Sequence, residues 1–396
     1  MSTPLQGVRV LDLSQALSGP FAGMMLADGG ADVIKVEPVG VGDHVREWLT
    51  TGADPVSPYF LTANRTTRSI AIDLKQDAGR ALLLELAERS DVLLENFRPG
   101  AMNRLGLGYE AVRQRNPRLI YCSVSGFGQT GPLADRQAYD LIAAGYGGTM
   151  SVTGEAGGRY CKPGVPVADL TAGMSAAYSI VLALMQREHS GQGCHLDISL
   201  YDGLVSTMAQ HLVAYQATGR LPQLSGSAHP QVAPYQTFRT GTTDINVAVL
   251  NERQWQVFCR VIEREDWLND ARFVRPGMRA NHREELVSAI EAVFATRPAA
   301  EWLALLNDAG VPSGPINTAA ELMTDPHLEA RDMFLTIDRP GAKSVRIPAA
   351  PWRGPGVLED WTPPPALGEH TSEILREVLA LSDERITALR EAGTVA

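Results

Sequence analysis

The sequence predicts an α/β fold, because strand-like and helix-like patterns alternate through its first half and then change character. Short apolar runs alternate with helical patterns from residue 8 to residue 125, which indicates successive β-α-β units. The chain has 396 residues, more than one hydrophobic core usually serves, so two domains are expected. We therefore predict a large domain with a Rossmann-like, mostly parallel sheet and helices on both faces, and a smaller α+β domain.

The first β-α-β unit consists of a strand at residues 8–13, a turn at 14–20, a helix at 21–28 and a strand at 32–37. Its nearly continuous apolar strand runs are typical of strands buried in a parallel sheet. The alternation continues beyond this unit. The further predicted elements are strands at 69–74, 91–95, 119–125 and 194–200, and helices at 77–89, 101–114, 139–144, 170–187 and 201–218.

A change in composition marks the second domain. Residues 219–235 are rich in Gly, Pro, Ser and Gln, which is typical of a connection between regular elements. We place the first part of the large domain at residues 1–218, the small domain at 219–325, and a segment that returns to the large domain at 326–396. The predicted elements after residue 218 are strands at 235–240, 245–250 and 344–349, helices at 252–264, 282–296 and 299–309, and a final helix at 371–380.

The overall composition is that of an acidic globular protein: 44% of the residues are hydrophobic, 20% are charged, and the net charge is −10. This balance argues against a general nucleic-acid binder. The four cysteines are too widely spaced for a disulfide framework or a zinc site, so we expect reduced thiols in a cytoplasmic enzyme without a metal. The chain opens without a signal-peptide pattern, and the apolar run at 172–185, too short to span a bilayer, is expected to be a buried helix.

The connection between the first strand and the first helix lacks the glycine pattern of a dinucleotide-binding site. Residues 18–23 read Ser-Gly-Pro-Phe-Ala-Gly, without the G-x-G-x-x-G that lets a backbone approach a pyrophosphate. Glu37 ends the second strand, where an acidic residue would hold a ribose. Turn and helix-start chemistry explains this Gly-Pro pair better than NAD binding does.

Basic residues flank the next strands. Arg65, Arg68 and Lys75 surround the predicted strand at 69–74, and Asn96-Phe97-Arg98 follows the strand at 91–95, with Arg104 just beyond. Arginine forks suit phosphate oxygens, and Phe97 offers a flat face to a base. Together these residues predict a site for a phosphorylated adenine nucleotide, although solvated charges beside turns would produce the same pattern.

Asp169 stands where a short apolar run, 164–168, meets the start of a long apolar helical stretch. An aspartate at such a junction commonly caps the helix N-terminus. The nucleotide-like segments and the Gly-rich turn at 145–148 favour a second interpretation, in which this carboxylate is chemically active. Both interpretations remain open at the level of the sequence.

These segments jointly resemble the family III CoA-transferases, the group of the formyl-CoA transferases and carnitine CoA-transferases. The resemblance extends over almost the whole chain and rests on residues 7–12, 31–37, 64–75, 95–100, 104–106 and 367–371. It implies transfer of CoA between carboxylic acids, with coenzyme A or an acyl-CoA as substrate. It also implies an interlocked homodimer, in which each chain is threaded by its partner.

By this resemblance, Asp169 matches the family's aspartate nucleophile, which forms an aspartyl anhydride and then an aspartyl-CoA thioester. With an ordinary pKa of about 3.9 it would be almost wholly ionised at neutral pH. Backbone N–H groups of Gly147 and Gly148 could stabilise the oxyanions, or the two glycines could only form a turn. The expected CoA contacts are Ile72, Asp73, Leu74, Lys75, Asn96, Phe97, Arg98, Arg104, Gln137, Ala138, Tyr139 and Asp140.

The substrate pocket implied by the resemblance contains Leu17, Trp48, Tyr59 and His229. Core packing for the two aromatic residues, and a surface position for the histidine, are the competing interpretations. The sequence also departs from the family. Leu17 replaces a glutamine of the formyl-CoA enzyme, Pro38 and Gln137 replace basic residues, and a tetraglycine segment is missing at 226–230, so we do not expect oxalate or formate as substrates.

Within the same superfamily, acyl-CoA racemases use a His-Asp pair that here reads Tyr139-Asp140. A tyrosine with a pKa near 10 is a poor base at neutral pH, which favours transfer over racemisation. Residues 229–238 and 310–317 resemble the succinyl-CoA:glutarate branch, so we expect succinyl-CoA as donor and a short dicarboxylate such as glutarate, itaconate, mesaconate, malate or citramalate as acceptor.

Arg46 or Arg159 is a candidate for binding the second carboxylate of such an acid. The alternatives are an acyl-CoA racemase or epimerase and, more remotely, a non-enzymatic CoA-binding module. We expect no nucleic-acid and no membrane partner.

Overall fold

The computed structural model describes residues 3–48, 57–338, 343–354, 356 and 358–396. The chain divides into two compact units. Unit 1 comprises residues 1–149, 162–210 and 329–396, and unit 2 comprises residues 150–161 and 211–328. Residues 150–161 belong to unit 2 although they precede it by about 50 positions, a grouping that no change in composition indicates.

Unit 1 is built on one six-stranded sheet in which every neighbouring pair of strands is parallel. Its strands are β1 (Arg9–Asp12), β2 (Asp32–Glu37), β3 (Thr67–Ala71), β4 (Val92–Glu95), β5 (Ile120–Ser125) and β6 (His195–Ser199). Their order in the sheet is β3-β2-β1-β4-β5-β6. The predicted parallel α/β sheet is therefore confirmed.

The strand order reverses direction at β1, which pairs with β2 on one side and with β4 on the other. In open parallel sheets the connections on the two sides of such a point lead away from each other. A crevice therefore forms beyond the carboxyl ends of the two central strands. Here those ends are followed by residues 13–17 and 96–100. The topology of the sheet alone therefore locates the candidate site at these two loops.

Helices cover both faces of this sheet. Leucine and isoleucine side chains of β1, β2, β3 and β4 form one buried cluster with side chains of several helices, among them α3 (Asp77–Glu88), α5 (Tyr109–Arg115), α16 (Thr371–Leu379) and α17 (Asp383–Glu391). The opposite face is covered by α1 (Ser18–Asp28), which contacts β1 to β4, and by α7 (Val167–Ser190), which contacts β5 and β6. The shorter helices of unit 1 are α2 (Pro58–Leu61), α4 (Ala101–Arg104), α6 (Asp140–Tyr146) and α8 (Leu200–Thr207).

Helix α7 is longer than its apolar run suggested, and it is long and apolar enough by composition to cross a membrane. One face packs against α1 so closely that a Cβ added at Gly173 would lie 2.6 Å from the backbone oxygen of Ser18. The expectation of a buried helix is wrong for its other face. There Met174, Tyr178, Leu182 and Met185 are exposed, because their spacing of three or four residues places them together on the far side.

Several predicted boundaries are shifted. Strand β3 begins two residues before its predicted start, because its polar Thr67 and Arg68 also pair with β2. It ends three residues before its predicted end, at Ala71, which pairs with Glu37, the last residue of β2. Helix α1 begins at Ser18, inside the predicted turn, since Pro20 fits the first turn of a helix. Helix α16 is not the last: it ends at Leu379, and α17 follows after Ser382, whose side chain accepts a hydrogen bond from the Arg385 backbone N–H.

The segment that returns to unit 1 also contains an antiparallel pair, β10 (Phe334–Ile337) and β11 (Val345–Pro348). Only the second of these strands was predicted. The partner was missed because Phe334-Leu335-Thr336-Ile337 is too short to show a period on its own. Leu61, Ile337 and Ile347 form a small buried cluster beneath it.

Unit 2 contains the three-stranded antiparallel sheet β7 (Tyr235–Phe238), β8 (Ile245–Ala248) and β9 (Ser313–Pro315). Its core combines residues of these strands with aromatic side chains such as Trp255, Phe258 and Trp302. The remaining helices are α9 (Ala209–Thr218), α10 (Glu252–Val261), α11 (Pro276–Asn281), α12 (Arg283–Phe294), α13 (Ala299–Asp308), α14 (Ala319–Leu322) and α15 (Pro326–Ala330).

Candidate active site

A cavity of about 790 Å³ lies in unit 1 beyond the carboxyl ends of β1, β4 and β5. Its volume is that of a pocket for a small-molecule ligand. It brings together nine of the residues predicted for the site. They are Trp48, Tyr59, Asn96, Phe97, Arg98, Ala138, Tyr139, Asp140 and Asp169.

Asp169 lies in the first turn of α7, three residues after Pro166, the residue that precedes the helix as its N-cap. The capping role considered for it is wrong, because another residue performs that role. An oxygen of the Asp140 side chain accepts a hydrogen bond of 2.9 Å from the Ala168 backbone N–H, one of the free donors of the helix terminus. Among the residues that the structure describes, none donates a hydrogen bond to the Asp169 carboxylate.

The environment of Asp169 changes its acidity. Burial, and in second place the negative charge of Asp140, raises the pKa of the Asp169 carboxyl from 3.8 to about 7. The expectation of an ordinary carboxyl pKa is therefore wrong, since the sequence could not show that the group is desolvated or that a second carboxylate lies beside it. At neutral pH the side chain is close to half ionised, and its anion is more basic than that of a solvent-exposed aspartate.

Aromatic side chains form one wall of the cavity. The rings of Trp48 and Tyr59 have centroids 5.4 Å apart, and the ring of His44 meets Trp48 edge-on at 5.3 Å. Burial, followed by the charges of Asp169 and Asp140, raises the pKa of the Tyr59 hydroxyl. Tyr59 therefore remains a neutral hydrogen-bond donor beside the two carboxylates.

Reciprocal hydrogen bonds join the two sides of the crevice. The Gln15 backbone N–H donates to Asn96 Oδ1 at 2.9 Å, and Asn96 Nδ2 donates to the Gln15 carbonyl at 2.8 Å. Gln15 follows β1 and Asn96 follows β4, so this pair fixes the distance between the two loops at the switch point. Asn96 thus has a structural function in addition to its place in the cavity wall.

A buried ion pair, Lys35 with Asp43, also holds the loop after β1. Ala16 has a positive φ of 65°, unusual for a residue other than glycine, and its N–H donates to both oxygens of Asp43 at 3.2 Å. Lys35 Nζ lies 3.1 Å from Asp43 Oδ2 and donates to the Ser14 carbonyl at 3.0 Å. Both charged side chains are fully buried, so each depends on the other.

The predicted segment 72–75 lines a second cavity, of about 260 Å³, together with Pro38, Phe97 and Leu105. Phe97 lies in the walls of both cavities. The backbone of this segment is held by residues from the far end of the chain: the Asp73 N–H donates to the Thr394 carbonyl at 2.9 Å, and Ile72 forms a β-bridge with Val395. The aliphatic lining and the nearby Lys75 suit a flat base attached to a phosphate.

Not every predicted residue lines these cavities. Leu17 is buried, Gln137 and Arg104 are exposed and line neither cavity, and His229 lies in unit 2, where its ring stacks on Tyr235 at 5.3 Å. The oxyanion role proposed for Gly147 and Gly148 is wrong. Their N–H groups donate to the carbonyl oxygens of Ala143 and Gly145 at 2.7 and 3.3 Å, so both are used within the turn that ends α6.

Three of the arginines considered for anion binding are instead committed to carboxylates. Arg65 is buried and paired with Asp28, and Arg68 binds Asp32, Glu373 and Glu377. Both arginines belong to the amino end of β3, whereas ligands bind at carboxyl ends, so their assignment to the nucleotide site is wrong. Arg46 forms two hydrogen bonds to Glu37, at 2.7 and 2.8 Å, and is not free to bind a substrate carboxylate.

The cavity wall also contains residues that were not predicted from the sequence: Gln15, Ala16, Ser18, His44, Val124, Ser125, Gly126, Leu141, Lys162, Pro166 and Leu200. Most of them lie at the carboxyl end of β1, β5 or β6 or within a few residues after it, and strand ends alone could have indicated them. His44 and Lys162 carried no such signal, because His44 begins a short 3-10 helix (His44–Glu47), Lys162 lies in an irregular stretch, and neither follows a sheet strand. In the described part of the chain, no group of three or more His, Cys, Asp or Glu residues is arranged to hold a metal ion.

Comparison with known proteins shows the family to which the chain belongs. Residues 5–371 match the model of CoA-transferase family III. The chain is 36% identical over 398 residues to the succinyl-CoA:glutarate CoA-transferase of Mus musculus, covering 99% of this chain and 90% of the mouse protein. It is 37% identical over 380 residues to the acetyl-CoA:oxalate CoA-transferase of Acetobacter aceti, covering 95% of this chain and 96% of that protein.

The fold agrees with these matches. The crystal structure of a CAIB/BAIF family protein from Brucella suis superposes with a TM-score of 0.84 at 36% sequence identity, covering 96% of this chain and 100% of that one. The sequence match and the structural match both extend over nearly the full chain, and the cavity has the size that a ligand needs. The protein is an enzyme of CoA-transferase family III, which transfers CoA between acyl-CoA thioesters and carboxylic acids.

Proposed function

We propose that this enzyme transfers CoA from succinyl-CoA to a short dicarboxylic acid, with Asp169 as the nucleophile. The observation that carries the proposal is the position of Asp169 at the helix N-terminus within the cavity. Its carboxylate lacks a hydrogen-bond donor of its own among the described residues, and segments 96–98 and 138–140 surround it. A carboxylate that is desolvated and basic, and that is not used in a structural ion pair, suits nucleophilic attack.

The proposed reaction proceeds through two covalent intermediates. An Asp169 oxygen attacks the thioester carbonyl carbon, and the C–S bond breaks, which gives an aspartyl-succinyl anhydride and CoA thiolate. The thiolate attacks the aspartyl carbonyl carbon, the C–O bond breaks, and succinate leaves an aspartyl-CoA thioester. An acceptor carboxylate then repeats the two steps in reverse, so the energy of the thioester is retained throughout.

Local structure supports the first step. The N-terminal end of α7 carries a partial positive charge, which stabilises negative charge near Asp169 as the tetrahedral intermediate forms. The neutral Tyr59 hydroxyl is a candidate donor for the oxyanion, and the aromatic wall of Trp48 and Tyr59 limits the access of water to the anhydride. Tyr59 takes the place of Gly147 and Gly148 in this proposal.

The proposed coenzyme site is formed by segments 72–75 and 96–98. The adenine would occupy the smaller cavity against Phe97. Lys75 of that cavity, Arg98 of the larger cavity and the exposed Arg104 would then bind the phosphates. Phe97 adjoins both cavities, so a bound CoA could extend from one to the other along this side chain.

We also propose that the enzyme is a homodimer of the interlocked type and works in the cytoplasm. The exposed apolar stripe of α7 supports the first part, since four large side chains on one helix face are typical of an interface. Four free cysteines support a reducing compartment. Sedimentation across a range of protein concentrations tests the dimer, and a folded monomer at low concentration would contradict it.

The activity is tested with a panel of acids and succinyl-CoA, with the new thioesters identified by mass spectrometry. Dicarboxylates are expected to be converted, and no α-hydrogen should exchange with D₂O when the acid is omitted. Hydroxylamine added during turnover should modify Asp169, as shown by peptide mapping, and Asp169→Ala should abolish transfer. Exchange of the α-hydrogen of a 2-methylacyl-CoA would instead support a racemase, and full activity of Asp169→Ala would refute the nucleophile.

A further inference from the structure

Lys162 is the lysine in the wall of the larger cavity, and the mechanism above leaves it without a function. Its Nζ lies 3.8 Å from Asp140 Oδ2, too far for a direct hydrogen bond, and donates to the Pro163 carbonyl at 3.2 Å. The ammonium group has three donors, so two of them are not accounted for by these contacts. Its side chain is 43% exposed, which allows it to move at little cost.

The other basic groups near the cavity are held by partners or belong to another part of the substrate. Lys35 and Arg46 are paired with Asp43 and Glu37. His44 Nδ1 is 3.0 Å from Gln15 Oε1. Arg98 lines the cavity but lies in the segment assigned to the coenzyme, so Lys162 is the mobile cation beside the two carboxylates.

A dicarboxylic substrate creates an electrostatic problem in this cavity. One of its carboxylates becomes an anhydride or thioester and loses its charge, whereas the other remains anionic throughout turnover. The cavity already contains Asp140 and, when ionised, Asp169. An additional anion in a partly desolvated space is strongly unfavourable unless a cation accompanies it.

We propose that Lys162 binds the unreacted carboxylate of the dicarboxylic acyl group, and thereby selects dicarboxylic over monocarboxylic acids. The inference rests on the proposed function, because it assumes a dicarboxylic substrate. A lysine suits this role, since its compact charge on a flexible chain does not need the fixed geometry of an arginine fork. The long contact with Asp140 is the resting position, from which the ammonium moves to the substrate.

Selection follows from the same contact. A monocarboxylic acid of equal length places a methyl group where the second carboxylate would lie. The ammonium then keeps only its long contact with Asp140, and the substrate gains nothing from it. Discrimination of this kind depends on a group that is satisfied by one substrate and left unpaired by the other.

The experiment measures initial rates with succinyl-CoA as donor and glutarate as the varied acid, for wild type, Lys162→Met, Lys162→Arg and Lys343→Met. Loss of a charge-assisted hydrogen bond predicts that Lys162→Met raises the KM of glutarate about 10- to 100-fold, with a smaller effect on kcat. Lys162→Arg should restore most of the affinity. Lys343→Met removes a lysine that does not line the cavity and should leave the KM unchanged.

Binding of free CoA to each variant, measured by calorimetry, separates a substrate contact from damage to the site. Unchanged CoA affinity together with a raised KM for glutarate supports the inference. An unchanged KM for glutarate in Lys162→Met would overturn it, and so would an equal loss of CoA affinity, which would assign the lysine to the coenzyme. If Lys162→Met does not fold, Lys162→Gln replaces it in the same assays.

The two proposals fail in different ways. A wild-type enzyme that converts no dicarboxylic acid refutes the proposed function, and the inference with it. A wild-type enzyme that converts glutarate, beside a Lys162→Met variant with the same KM, refutes the inference alone.

Discussion

Replacing Asp169 by asparagine should make the protein more stable while abolishing its activity. The carboxyl has a pKa of about 7 in the folded protein and 3.8 as the reference for the unfolded chain. A group whose folded pKa is raised opposes folding once it is ionised. The unfavourable contribution to the free energy of folding begins as the pH rises through the pKa of the unfolded chain. It grows until the pH reaches the pKa of the folded protein and is constant above that pH.

The magnitude follows from the shift. Three pKa units correspond to about 4 kcal/mol, since one unit is about 1.4 kcal/mol. The side chain is partly exposed, and solvent screening reduces the expected gain to about 2 kcal/mol at pH 8 and to less than half of that at pH 5. Asparagine has nearly the same shape and carries no charge, so Asp169→Asn removes this cost at every pH.

Urea denaturation followed by fluorescence at pH 5, 6, 7 and 8 measures the difference. The midpoint of Asp169→Asn should exceed that of the wild type by a margin that grows with pH and becomes constant above about 7. The matched control is Asp308→Asn, at an exposed position at the end of α13. A margin that is independent of pH, or equal to that of the control, would refute the assignment of a raised pKa to Asp169.

Three further predictions concern the surroundings of this residue. Because the nucleophile must be ionised, kcat/KM should fall about tenfold from its plateau above pH 8 to pH 6. Asp140→Asn should move this acidic limb of the pH profile to lower pH, and an unmoved limb would show that Asp140 does not raise the pKa of Asp169. Lys35→Met should cost about 3 kcal/mol or more in urea denaturation, because it leaves Asp43 buried and unpaired; a variant as stable as wild type would contradict the role of this pair. Lys75→Met should raise the KM of the acyl-CoA about tenfold by loss of a phosphate contact. Arg65→Met should instead lower the melting temperature and leave that KM unchanged. The opposite pattern would show that Arg65 belongs to the nucleotide site.

The general position of the site followed from the sequence because it depends on local patterns. Apolar runs identified β1, β4 and β5, and the residues after them line the cavity in a parallel sheet whatever their side chains are. The junction before α7 likewise indicated Asp169. Its altered pKa could not be predicted, since burial and the neighbouring Asp140 result from tertiary packing.

The misassigned residues show the limit of charge patterns. Arg68 and Lys75 are both basic residues beside the same predicted strand, so the sequence does not distinguish them. The partners of Arg68, Glu373 and Glu377, nevertheless lie about 300 residues away along the chain. A sequence shows that a charge is present and does not show which distant carboxylate compensates it. Gly147 and Gly148 were misassigned for a related reason: the free N–H groups expected of them are used inside their own turn.

The contacts of Ile72 and Asp73 with residues 394–395 have a consequence for biosynthesis. The ribosome synthesises the chain from its N-terminus, so Ile72 and Asp73 lack their hydrogen-bonding partners until more than 300 further residues have been added. The proposed adenine cavity therefore cannot be completed before residues 394–395 have been synthesised, whereas residues 211–328 emerge well before them. Premature termination near residue 390 would leave most of the sheet intact and would deprive the coenzyme site of its support.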